Sequence, residues 1–167
     1  MRITERPAGG ATVALVMAMA AVLLGGTAPA QAGPSRLTAA QQSIKSVLDR
    51  NPGARQIDAN TVQIREGVQF RAVAAPCRGG LLCLYDDFQY RGRQLILSRC
   101  AFADIGRDWG NDKIRSLQNH QSAGTGTTFW NWRANTSSWG LVGSSMAIEN
   151  VPAVSAAIRT AEGVRVC

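Results

Sequence analysis

Between Cys83 and Cys100 the chain reads CLYDDFQYRGRQLILSRC, and this stretch restricts the fold more than any other. Leu82, Leu84 and the ring of Tyr85 open an extended run, Asp86-Asp87 is a turn signal, and Arg93–Ser98 gives a second run with alternating Leu95 and Leu97. Two short strands folded back on each other are expected. Tyr85, Tyr90 and Gly92 follow one another as aromatic, four-residue gap, aromatic, one residue, glycine. Two aromatics at that spacing can cover a folded-over hairpin, and a glycine at its corner permits a positive φ or a close backbone approach that a side chain would block.

Residues 1–32 read as a secretory leader. Arg2 and Arg6 precede an apolar centre from Ala11 to Leu24, and Ala30-Gln31-Ala32 is a small-residue cleavage site. The apolar run is short for a bilayer span, which needs about 20 residues, and no later stretch approaches that length. The expected product is secreted and extracellular, not inserted in a membrane, and begins near Gly33. All four cysteines, Cys77, Cys83, Cys100 and Cys167, follow the leader, so they are expected in disulfides. Spacing leaves three connectivities open; the expected one pairs Cys77 with Cys83 across an Arg-Gly-Gly loop and Cys100 with Cys167. With a single His and one close Cys pair, a zinc cage is not expected.

The formal net charge is +7. The cations are scattered singly from Arg36 to Arg165, which describes a solvated basic surface that can steer an acidic partner. Without a basic cluster or a reading motif, nucleic acid is not an expected partner.

Leu37–Arg50 reads as a helix, because Thr38 and Gln41 make a capping box and Ala40, Ile44, Val47 and Leu48 share one face. Asn51-Pro52-Gly53 ends it. Residues 54–74 alternate as a small β-meander, with turns at Asp58-Ala59-Asn60 and Glu66-Gly67. The expected organisation is therefore 1–32 leader, 33–74 helix plus meander, and 75–167 β-domain. Within that last part, Cys100–Asn111 is expected to be a connection, Lys113–Asn119 a returning strand with Ile114 and Leu117 inward, and Ser122–Thr128 a linker. Four further strands are expected at Phe129–Arg133, Ser138–Val142, Ser145–Glu149 and Ala156–Val166.

The Tyr85, Tyr90, Gly92 spacing resembles the signature of a βγ-crystallin Greek-key motif. Asn111-Asp112-Lys113-Ile114-Arg115-Ser116 stands where that superfamily carries Asn/Asp-Asn/Asp-x-x-Ser/Thr-Ser. The second half is a degenerate copy, without the aromatic-x-Gly corner and with Val151-Pro152 where acidic or amide residues would be wanted. Together with the leader, the helix, the meander and the Cys-x5-Cys-Leu-Tyr entry, the chain is similar to a family of secreted bacterial peptidase inhibitors of the metalloprotease-inhibitor type. The resemblance implies an all-β fold, a βγ-crystallin-like Greek-key sandwich preceded by a small α+β extension. It also implies a monomer that inhibits a secreted protease by rigid loop insertion. The competing class is a structural or envelope-associated crystallin-like module with a remnant calcium site. That family's second disulfide-closed loop is missing here, so its inhibitory loop has no counterpart to carry over.

Two segments are candidate partner-binding loops. One is Cys77–Cys83, with Arg78 at its tip; the other is Asn131–Gly140, with Trp132, Arg133 and Trp139, residue types enriched at interface hot spots. The competing reading of the tryptophans is packing, and that of the disulfide loop is a staple. Catalysis is not expected. His120 has no free thiol to pair with, and adjacent Asp86 and Asp87 on a strand would point to opposite faces. Asn135-Thr136-Ser137 reads as a turn. Asn111 and Asp112 keep oxygen donors for a hard cation, but Arg115 replaces the hydroxyl of the fifth position and brings a positive charge. No cofactor is expected, and calcium binding at this remnant is expected to be weak or absent.

Overall fold

The computed structural model describes residues 37–167; the expected leader and its cleavage site lie outside them. Helix α1, Ala39–Arg50, starts where the capping box predicts: the Thr38 hydroxyl accepts from the Gln41 amide and the Gln41 side chain accepts from the Thr38 amide. Its buried residues, Ile44 and Val47, face the core. At its end the Asn51 side-chain amide donates both to Val47 and to the Asp108 carbonyl, fixing the helix to a distant loop.

The meander follows as β1 (Arg55–Asp58), β2 (Thr61–Arg65) and β3 (Val68–Arg71). The hairpin is β4 (Leu82–Tyr85) and β5 (Gln94–Leu97), with Leu84 opposite Leu95. Then come β6 (Phe102–Asp104), α2 (Ile105–Asp108), β7 (Ser116–Asn119), β8 (Gly126–Arg133), β9 (Ser138–Met146), β10 (Glu149–Val151), α3 (Ala156–Arg159) and β11 (Gly163–Val166). The fold is predominantly antiparallel β. Its first sheet has the order β1-β2-β3-β5-β4-β7-β10 and its second β6-β11-β8-β9. Because β3 pairs with β5, the meander prolongs the first sheet across the position, 74/75, where the sequence suggests a boundary. The described residues, 37–167, belong to one compact unit.

Taken as two successive sets of four, β4–β7 and β8–β11 trade their third strands. Strand β10 pairs with β7 at the edge of the first sheet, and β6 pairs with β11 at the edge of the second. Leu82, Leu84, Leu95, Leu97, Ile114, Leu117, Phe129, Val164 and Val166 fill one core, into which α1 and the meander send Ile44, Val47, Val62 and Phe70. All four residues of β4 and of β5 are buried. A loop over the outer face of the first sheet covers Cys83, Tyr85 and Ile96 with Ala74, Cys77 and Leu81.

Three expectations for the strands and connections need correction. Residues 138–146 form one strand where two separated ones were expected, because β9 pairs with the whole length of β8 and absorbs an irregularity at Phe129/Trp130. The segment 156–166 is not one strand: Ser155 caps α3 by accepting from the Ile158 amide, and only Gly163–Val166 is extended. Gly143 makes room for that turn, since a Cβ there would lie 2.5 Å from Ile158. The connection 100–111 contains β6 and α2, the latter capped by the Asp104 carboxylate.

Candidate binding surfaces

The signature residues meet at one corner. Gly92 has φ +79°, and a Cβ there would lie 2.3 Å from the Asp86 carboxylate. The turn also holds Gln89 and Tyr90 in the left-handed region, at φ 58° and 60°, an arrangement that costs energy and needs support from outside. Ser116 gives it: its hydroxyl accepts from the Tyr90 amide (3.0 Å) and donates to the Asp87 carbonyl (2.7 Å). The Tyr90 ring packs edge-on against Tyr85 at 5.8 Å. Asp86 accepts from both the amide and the guanidinium of Arg93, and Asp87 from the Phe88 amide. These carboxylates hold the turn. Tyr85 is fully buried, its hydroxyl donating to Gln118 (2.6 Å) and accepting from Gln94 (3.1 Å). Burial pushes its phenol up to about 12, although the Gln94 bond opposes the shift.

On the Asn111–Ser116 segment, Asn111 and Asp112 are exposed, and Asp112 is left-handed at φ 55°. The Arg115 guanidinium curls back to donate to the Asp112 carbonyl (2.8 Å) and the Ile114 carbonyl (3.1 Å). It thus occupies backbone oxygens as well as replacing a hydroxyl. Among the described residues, no group of three or more His, Cys, Asp or Glu is placed to hold a metal ion.

The cysteines pair as Cys77–Cys83 and Cys100–Cys167. The first closes a loop whose Arg78, Gly79 and Gly80 are exposed. His120, at the end of β7, clamps this loop: its carbonyl accepts from Gly80 (2.7 Å), its amide donates to Leu81 (2.9 Å), and its Nδ1 lies 3.1 Å from the Cys77 carbonyl. The other ring nitrogen is 2.8 Å from Asn150 Oδ1 on β10. The sequence offered no sign of this role, because the partners lie about forty residues before it and thirty after it in the chain. Arg78 also lines a hollow of about 250 Å³ with Arg71, Gln69 and Ser98.

The other candidate segment is on the outer face of the second sheet, away from the loop. Trp132 and Trp139 sit opposite each other on β8 and β9, with ring centroids 5.4 Å apart, and Trp139 meets Phe102 of β6 at 5.0 Å, both pairs edge-on. Trp132 keeps 42 % of its surface exposed, whereas Trp109 keeps 2 %. Packing alone therefore does not account for Trp132, whereas Trp139 is half-buried between Trp132 and Phe102. Arg133 lies over Gly140, its guanidinium against the glycine's backbone. Phe102 and Trp130 belong to the same face and were not among the candidates; strand alternation around Phe129, whose ring points inward, is the signal that could have found Trp130.

The candidate residues therefore fall into three places: a corner that is structural, a clamped loop carrying Arg78, and an aromatic face carrying Trp132 and Trp139. No protein-family model, curated protein or solved structure matches the chain. What the fold defines is a two-sheet antiparallel β-protein closed by two disulfides. Among its described residues no helix is long and apolar enough to cross a membrane.

Proposed function

We propose that the protein is a secreted protease inhibitor built on a βγ-crystallin-type Greek-key sandwich, acting through the Cys77–Cys83 loop. Support for the sandwich comes from the exchanged third strands β6 and β10 and from the Gly92–Ser116 corner. Support for the activity comes chiefly from one observation, the double restraint of the loop. A disulfide closes it, and His120 holds it at Gly80, Leu81 and Cys77. An inhibitory loop must enter a cleft already ordered, so that little entropy is lost on binding and the ends of a cut bond stay together. Arg78 stands exposed on this loop, and arginine is a residue type that dominates interface energetics.

The target class suggested by the family resemblance is a secreted metalloprotease. The test is inhibition of a panel of extracellular metallo- and serine proteases by the purified, oxidised protein. Dose-dependent inhibition of at least one member is expected. No inhibition at high micromolar protein across the panel sinks the proposal and leaves the non-inhibitory crystallin-like module. Secretion has its own test: amino-terminal sequencing of extracellular material is expected to begin at or near Gly33, and an intact Met1 contradicts it.

A further inference from the structure

The outer face of the second sheet carries a row of rings, Trp132, Trp139 and Phe102. Trp139 and Phe102 meet over Gly163; a Cβ at that glycine would lie 2.5 Å from Phe102 and 2.8 Å from Trp139. The glycine is thus the floor on which these two rings stand, and Trp132 extends the row by 5.4 Å. The rings are braced against one another, so they do not have to be ordered by a ligand. Trp132 is exposed and Trp139 and Phe102 are half-buried beside it; contiguous apolar surface rimmed by polar groups is a feature of binding sites.

A hollow lies on each side of Trp139. One, of about 360 Å³, is bounded by Phe102, Trp130, Trp139 and Arg165. The other, of about 410 Å³, is bounded by Trp132 and Trp139 and by Asp104, Arg107, Asn111 and Glu162. Both volumes fall within the range of about 300–1,000 Å³ usual for small-molecule sites. The polar groups of the second hollow converge around Gly106, where a Cβ would come within 2.7 Å of Asn111 Oδ1, 3.2 Å of the Glu162 Cβ and 3.6 Å of Asp104 Oδ1.

The chemistry of this set selects its occupant. Asp104 and Glu162 accept hydrogen bonds, Arg107 donates, and Asn111 does both. Two carboxylates against one guanidinium, itself paired with Asp108, repel an anionic partner. A neutral polyol, each of whose hydroxyls both donates and accepts, is satisfied by all four. The C–H face of a pyranose is apolar and matches an indole surface in shape and polarity. Burial and the neighbouring carboxylates of Asp112 and Asp104 raise the Glu162 pKa, in keeping with a group already partly withdrawn from water.

We infer that the Trp132–Trp139–Phe102 row and the Asp104–Asn111–Glu162 hollow bind a neutral, hydroxyl-rich glycan chain, one sugar ring against each hollow. This does not rest on protease inhibition, and it uses the opposite side of the molecule from Arg78.

The test is titration of the purified protein with cellohexaose and, separately, hexa-N-acetylchitohexaose, followed by tryptophan emission and by calorimetry. The two arms distinguish a plain glucan from an N-acetylated one. Saturable binding of at least one hexasaccharide is expected. Trp132→Ala should weaken it about tenfold or more, the scale expected when a stacked ring is lost, and Glu162→Gln should weaken it several-fold. Arg78→Ala should leave it unchanged. Melting temperatures confirm that the variants are folded, and Glu162→Gln carries the test should Trp132→Ala unfold. No saturable change with either sugar up to about 10 mM, weaker than any useful affinity, overturns the inference. So does binding that survives both Trp132→Ala and Glu162→Gln. Capture of oligolysine in place of the sugars, lost in Glu162→Gln, also overturns it and identifies the face as a site for basic protein segments.

Discussion

The hairpins that open the two four-strand sets, β4–β5 and β8–β9, reach the same topological position by different means. In the first, the turn folds back onto the sheet. Tyr90 and Gly92 take positive φ, Ser116 bonds both sides of the fold, and the 74–81 loop with its disulfide covers what stays outside. In the second, two longer strands pair along eight residue positions and the turn at 134–137 projects outward. The first hairpin is a closed structure with both faces buried; the second has one face in the core and one bare, and that bare face carries the aromatic row. The difference teaches that the corner chemistry is dispensable for topology. What it provides is cover, and where it is missing the sheet presents a surface.

That comparison can be broken by substitution. The largest effect expected is at the disulfides, because Cys100–Cys167 joins residues 67 apart and Cys77–Cys83 residues only 6 apart. On loop-closure entropy the first contributes about 4 kcal/mol and the second about 2 kcal/mol. Denaturant unfolding of Cys100→Ser/Cys167→Ser and Cys77→Ser/Cys83→Ser variants measures both. Next comes Gly92→Ala, which must hold φ +79° with a Cβ 2.3 Å from the Asp86 carboxylate; a loss of about 2–4 kcal/mol is expected. At the open hairpin, Gly140→Ala displaces only the flexible Arg133 side chain and should cost under about 1 kcal/mol. Equal costs at the two glycines would remove the contrast between the hairpins.

An effect between those of the two glycines, about 1–3 kcal/mol, is expected for Ser116→Ala, which leaves a turn amide without its partner. The corner also gives the molecule an alkaline limit. The buried Tyr85 phenol titrates near 12 when folded against an ordinary value of 10.0, so the unfolded chain gives up this proton first. The contribution of Tyr85 is therefore complete below pH 10 and is lost as pH rises from 10 towards 12. Tyr85→Phe should flatten that limb of a stability-against-pH curve. The smallest effect is for calcium: no shift in melting temperature is expected between millimolar calcium and chelator, since Arg115 already bonds the Asp112 and Ile114 carbonyls. A shift of many degrees would contradict this reading, and recovery of weak binding in Arg115→Ser would sharpen it.

The parts legible in the sequence are those whose signals are local. The Thr38–Gln41 capping box gave α1, alternation gave the meander and β4–β5, and the Tyr85-Tyr90-Gly92 spacing gave the corner, because each acts through residues a few positions apart. The exchange of β6 and β10 between sheets was not legible, since three-residue strands carry too little alternation to be seen and their partners are chosen by tertiary packing. The segment 156–166 reads as one strand, but Ser155 caps a short helix within it and only Gly163–Val166 is extended. At the candidate sites, Arg78, Trp132 and Trp139 were visible as residue types. The clamp by His120 and the floor at Gly163 were not, because each is defined by atoms far away in the chain.

The central claim is that the clamped loop, not the aromatic face, engages a protease. It is tested most directly by inhibition constants for Arg78→Ala and Trp132→Ala measured side by side against any extracellular protease that the panel shows the native protein to inhibit. The account predicts that Arg78→Ala weakens inhibition by about a hundredfold, the loss of a hot-spot side chain, while Trp132→Ala stays within about threefold of the native protein. Unchanged inhibition by Arg78→Ala together with a large loss in Trp132→Ala would contradict it, and would move the inhibitory surface to the outer face of the second sheet.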